Sequence, residues 1–332
     1  MTKKVLFCFM VSLVAFVLVT SLHAAKPFYE GNVLTIIVNT NAGGGTDYYG
    51  RLVAQFIKKY LPGSTVIVKN ISGAGGLIGL NELYQAKPDG LTIGTFNRAN
   101  GIAQVIGLKG VTFDFPKLTW IGSAASELSG FVVRSDLYKN LDDVLKAEKM
   151  RIATDGLGTL SNLTPLLFYH MLGKTNFTTG TGYGGGETDM AVVRREMDGS
   201  FGSFYTSVTI VNQGYAVPVM FIGKEKPAGY EKVPFIQDVI TDPKHKPVVD
   251  LLIGLNSIGR PFAGPPGIPN DRVEILRDAF QKTLKDPELL KVVEKAGRPV
   301  NYISHKECEN WAKGLFDLPP DVVSTIKKAF VE

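Results

Sequence analysis

Apolar and polar positions along the chain follow two rhythms. After a long apolar run from Val5 to Leu22, short aliphatic runs at 34–38, 65–68 and 91–96 alternate with stretches of helical spacing. In the first such stretch Tyr49, Leu52, Val53, Phe56, Ile57 and Tyr60 recur at i, i+3, i+4 and i+7, the spacing of a helix with one buried face. Pro62-Gly63 ends it, and Pro88-Asp89-Gly90 ends the next one. Strand, helix, strand, helix, strand with short connections predicts an α/β sheet wound with parallel strands. The pattern restarts near Trp120, with strands predicted at 130–134 and 151–154, a polar helix at 141–149 and an apolar helix after "DGLGTLSN". The tail returns to helices. Asn270-Asp271 stands as a cap before Val273, Leu276, Phe280 and Leu284, Pro287 opens a further helix, and Ala296-Gly297 closes it.

Composition adds size and compartment. The chain has 332 residues, 45% apolar and 20% charged, enough for two cores. Lys3-Lys4 before the first apolar run and the small residues Ala24-Ala25 after it form an export signal, with cleavage expected near Ala24-Ala25; an uncleaved anchor is the competing reading. Without the signal Cys308 is the one cysteine left, so no intrachain disulfide is possible and the thiol is expected to be an inert part of a helix. The formal charge is +5, and +3 without Lys3 and Lys4, spread rather than gathered into basic blocks. A nucleic-acid partner is not expected.

The chemistry concentrates in glycine. "NAGGGTDYYGRL", from Asn41, sits between a predicted strand and a helix; "SGAGG", "DGLGTLSN" and "GYGGGETD" occupy similar turns, the last echoing Gly43 to Asp47. Nucleotide fingerprints do not fit "NAGGGTDYYGRL": neither G-x-G-x-x-G nor G-x-x-x-x-G-K-[ST] can be laid on it, and the Gly-Lys-Thr at 173–175 has Phe168 where a P-loop needs glycine. No G-x-S-x-G, H-E-x-x-H or C-x-x-C occurs, and His170, His245 and His305 have no metal-ligand spacing, so neither cofactor nor metal is expected. Asp47 is read as a cap for Tyr49 and neighbouring N–H groups, and Asp89 as a turn residue. What remains is passive: glycine loops turn backbone N–H groups into a cleft, and the helix that follows adds its positive end, so a small anion is held. For "SGAGG" a tight turn is explanation enough.

The segments "IIVNTNAGGGTDYYGRLVAQ", "VKNISGAGGLIGLNELYQAKPDGLTIGT" and "FAGPPGIP" resemble the signature segments of the tripartite tricarboxylate transporter receptors, the Bug proteins, from about Leu34 to the C-terminus. "GYGGGETDMAVVRREMDGSFGSF", with Arg194, Glu196 and Asp198, is similar to a second-domain segment of some members. The resemblance implies a periplasmic, type II-like two-lobed binding protein with the ligand cleft between its lobes. It implies a monomer that gives a small carboxylate to a membrane permease, and no enzymatic activity. Residues 26–126 are then expected in the first lobe, 127–254 in the second, and 255–332 back on the first, with crossings near 124–127 and 251–257. The implied ligand contacts are Thr40, Asn41, Gly43, Gly44, Gly45, Thr46 and Asp47 on one side, and Gly158, Thr159, Ser161, Asn162, Tyr183 and Gly185 on the other. Two positions depart from the family pattern. Asn162 stands where His is frequent, and Asn39-Thr40-Asn41 replaces a Pro-aromatic pair, which makes that wall more polar. Beyond the resemblance, Arg98 and its neighbour Asn97 follow the third predicted strand, where open sheets place ligands. An arginine there is placed to fork onto a second carboxylate, which favours a dicarboxylate or tricarboxylate. An exported enzyme acting on a carboxylate and a sensor presenting its ligand to a membrane kinase are the alternatives.

Overall fold

The computed structural model describes residues 26–331; the expected export signal and its cleavage position lie outside them. Strand β1 (Val33–Val38) leads through the glycine loop into helix Gly45–Ile57. Strands β2 (Thr65–Asn70) and β3 (Thr92–Thr95) follow, separated by helix Leu77–Gln85, and both pair with β1 in parallel. Leu34, Ile36, Ile37 and Val38 are all buried, as a central strand covered on both faces requires, whereas β2 lies at the edge and half-exposes alternate residues.

Strand β4 (Thr119–Ser123) ends the first passage, and 124–128 carry the chain into a second sheet. That sheet is built from β5 (Ser129–Arg134), β6 (Met150–Ala153), β7 (Phe177–Gly180), β8 (Gly199–Ser203) and β9 (Ala216–Ile222), in the order β7-β6-β8-β5-β9. After helix Lys246–Ser257, residues 258–260 return the chain to β10 (Pro261–Gly264), and β11 (Ile303–Ser304) completes a first sheet ordered β11-β4-β10-β3-β1-β2. The molecule is thus a two-lobed α/β protein. The sheets are mixed rather than wound wholly in parallel: β10 runs antiparallel to both β3 and β4, and β5 to both β8 and β9. The strands that flank each crossing enter from the other lobe, so their direction is set by the crossing and not by a βαβ connection.

The tail divides. Helix Asn270–Leu284 packs on helix Gly45–Ile57 and β4, and helix His305–Gly314, with buried Cys308, packs on β4. The last helix, Pro320–Val331, expected on the first lobe, lies instead against helix Leu160–Met171 of the second. A turn at 315–317 leaves the preceding helix, Pro319-Pro320 opens the last one, and Val322, Ile326 and Ala329 form the i, i+4, i+7 stripe buried in that contact. One core cluster consequently runs from lobe to lobe. On its first-lobe side Trp120 meets Phe115 and Trp311 edge to face, at 5.3 and 6.0 Å between ring centroids.

Candidate functional site

Loops at the carboxyl ends of β1, β3, β6, β7 and β8 converge on a cleft of about 100 Å³ between the lobes. The lobes meet there backbone to backbone. A Cβ on Gly44 would stand 2.8 Å from Cα of Gly185, and one on Gly184 would overlap the Asn41 side chain. Gly75, at φ +65°, faces the Leu157 carbonyl so closely that no Cβ fits. The two similar glycine loops are therefore opposite jaws of one cleft. The "SGAGG" turn, read as a turn alone, is a third place where the second lobe touches the first.

On the first lobe, Thr40, Gly44, Gly45, Thr46, Asn97 and Arg98 line the cleft, whereas Asn41 and Gly43 stay outside it. Gly44 caps helix Gly45–Ile57 with backbone only, which leaves the first-turn N–H groups without a side-chain acceptor. Asp47 does not line the cleft. Its carboxylate accepts from Gly43 N at 3.0 Å, from Asn70 Nδ2 at 2.9 Å and from Arg51 Nε at 2.9 Å, so it braces the loop backwards rather than capping Tyr49. Burial by itself would raise its pKa, but these bonds outweigh burial and hold it below the usual range.

Arg98 is buried, and its guanidinium donates to Asn256 Oδ1 at 2.6 Å and to the Gly259 carbonyl at 3.2 Å. Asn256 Oδ1 also accepts from Ser129 Oγ, so Arg98 is tied directly to the return crossing and, through Asn256, to the start of β5, rather than standing free as a fork. Its Nε is buried without an acceptor, and burial pushes its pKa down to about 9. Arg260, in the return crossing, lies over the Tyr49 ring, pairs with Glu127 at 2.8 Å and reaches Thr46 Oγ1 at 3.3 Å. It lines the cleft, and the sequence reading missed it.

On the second lobe Ser161 and Gly185 line the cleft, and Gly158, Thr159, Asn162 and Tyr183 do not. Thr159 spends its hydroxyl on structure: Oγ1 donates to the Gly156 carbonyl at 2.7 Å and accepts from Asn162 N, capping helix Leu160–Met171. Gly158 offers its carbonyl to Asn100 Nδ2 across the lobes, and Asn162 is buried with Oδ1 unpartnered. Arg194 and Glu196 pair with each other on the surface, and Asp198 binds Arg151, away from the cleft.

Two acids missed from the sequence complete the wall. Asp155 follows β6 and accepts from Ser161 Oγ at 3.0 Å; Asp189, 7% exposed, accepts on Oδ1 from Ser200 Oγ at 3.1 Å and Ser207 Oγ at 2.9 Å. Burial pushes both up to about 6, against the lowering effect of the serine bonds, and Asp189 raises Asp155 further. Asp189 occupies the place in "GGGETD" that Asp47 holds in "GGGTD", the one signal that pointed to it. Asp155 stands before Gly156 and Arg260 alone before Pro261, and neither belongs to a motif that marks it in sequence.

Two α/β lobes joined by paired crossings, with a polar cleft at the carboxyl ends of their strands, make up the fold of the periplasmic binding proteins. The fold is that of the periplasmic binding protein BugD, with a TM-score of 0.75 and 22% identity over 92% of this chain and 99% of that one. It is also that of MatC from Rhodopseudomonas palustris, solved with malate bound, with a TM-score of 0.72 and 19% identity over 88% and 99% of the two chains. A second R. palustris protein, solved with adipate, gives a TM-score of 0.72 at 17% identity over 89% and 97%. An Agrobacterium vitis protein, described as a UPF0065 protein in the TAR-I ttuE-ttuC' intergenic region, is 30% identical over 181 residues, a match that spans about half of either chain. Residues 50–315 match the model of the tripartite tricarboxylate transporter family receptor. The chain belongs to that family and is a solute receptor of the periplasmic type.

Proposed function

We propose that this receptor binds a small carboxylate between its lobes, outside the cytoplasmic membrane, and hands it to a permease of the tripartite tricarboxylate type. In this reading the leader is removed near Ala24-Ala25 and the protein acts as a monomer. The observation that carries it is the first-lobe wall: the uncapped first turn of helix Gly45–Ile57 beside two buried arginines, Arg98 and Arg260, with Glu127 as the carboxylate near both. Backbone N–H groups at a helix start and guanidinium groups both favour an anion. The malate and adipate held by the two R. palustris relatives are carboxylates of the right class. No reaction is implied, and the solute leaves as it came. Mass spectrometry of solute released by denaturing the protein from its native compartment tests the reading. A carboxylate returned unchanged on incubation supports it; a chemically altered product, or a bound solute without a carboxylate, overturns it.

A further inference from the structure

The cleft is charged differently on its two faces, and that asymmetry speaks to the solute. On the first-lobe and hinge side stand Arg98 and Arg260 with Glu127 near them, and Arg98 Nε, in a side chain 6% exposed, has no acceptor. The facing second-lobe wall presents Asp155 and Asp189. Their hydrogen-bond partners are serine hydroxyls, and among the described residues neither carboxylate takes part in an ion pair.

Two carboxylates turned towards one small cavity repel each other, and buried charges are ordinarily paired. Hydroxyl donors ease this without neutralising it. A dicarboxylate spanning the cleft would set its far carboxylate against this pair. A solute with a carboxylate at one pole and an ammonium at the other satisfies both walls.

We infer that the solute is dipolar, an amino acid or other amino-carboxylate. Its carboxylate faces Arg98, Arg260 and the first turn of helix Gly45–Ile57, and its protonated amine lies between Asp155 and Asp189. The assignment rests on the carboxylate-receptor reading and narrows it, replacing the dicarboxylate expected from Arg98 alone. Arg98, already tied to Asn256 and Gly259, then also links the occupied pole to the hinge.

The test is calorimetric titration of the full mature chain at pH 7.5 with pairs that differ by one amino group: aspartate and succinate, glutamate and glutarate, leucine and 4-methylpentanoate, β-alanine and propionate. The expected result is at least one pair in which the amino member binds tenfold or more tightly than its partner. That preference should fall tenfold or more in Asp189→Asn and in Asp155→Asn, whose near-isosteric side chains keep the serine bonds; thermal melts of both variants confirm that they are folded. Binding of the deaminated acids as tightly as the amino members, or a preference unchanged in both variants, overturns the dipolar assignment and leaves the carboxylate receptor standing. Heat from neither series overturns both.

Discussion

At the residue scale the most informative position is Gly44. Its φ of −85° suits any residue, so alanine there meets no backbone strain, yet its Cβ would press on Gly185 Cα at 2.8 Å. Gly44→Ala is therefore expected to leave the ligand-free melting temperature within about 2 °C of wild type while weakening ligand binding roughly tenfold or more, since overpacking of this kind costs about 1–3 kcal/mol and falls on the closed form. Calorimetry beside thermal melts checks this; equal affinity in the variant would mean that the jaws do not close on glycine. Asp189 makes the opposite case. Its pKa is raised on folding, so the native state holds a proton more tightly than the unfolded chain. The resulting loss of stability is absent below about pH 4 and complete above the folded value of about 6. Asp189→Asn should stabilise the ligand-free protein by about 1–3 kcal/mol at pH 7.5 and by little at pH 4, as read from urea unfolding at the two pH values. A variant less stable at pH 7.5 would contradict the sign.

At the element scale the last helix is the test. Removing 320–332 uncovers the face of helix Leu160–Met171 that Val322, Ile326 and Ala329 bury. At about 1.5–3 kcal/mol for each large apolar side chain returned to water, the loss should be roughly 3–6 kcal/mol, visible as a lower urea midpoint. An unchanged midpoint would show that the helix only rests on the surface. The elements themselves were largely legible in sequence, because the buried stripe of helix Gly45–Ile57 and the aliphatic runs of β1 and β3 have unambiguous periods. Strand direction was not. β10 is a four-residue run, Pro261–Gly264, and nothing local to it distinguishes parallel from antiparallel. Where the last helix docks was equally hidden, since its stripe reads the same whichever lobe receives it.

For the whole molecule, the two crossings are locked by one buried ion pair, Arg260 with Glu127, whose side chains are 7% and 1% exposed. Arg260→Ala strands the Glu127 charge and should cost about 3–5 kcal/mol, whereas Arg260→Met with Glu127→Leu should regain most of that stability and still fail to bind a carboxylate. Chemical unfolding together with calorimetry separates the two effects; recovery of binding in the double variant would remove Arg260 from the site. The site was only half legible. Glycine loops announce themselves by composition, and they do form the jaws. Asp155, Asp189 and Arg260 are ordinary polar residues in sequence, and they line the cleft only because strands far apart in the chain end at one place.

The contact of Gly44 with Gly185 has a consequence for how such a receptor changes over time. Jaws that touch through bare backbone fit one another whatever side chains stand behind them. The shape of the shut molecule and the identity of its cargo are then inherited separately. Exchange of a few lining residues can redirect the receptor to a new solute without reworking its hinge, and an engineer building a biosensor on this frame can do the same.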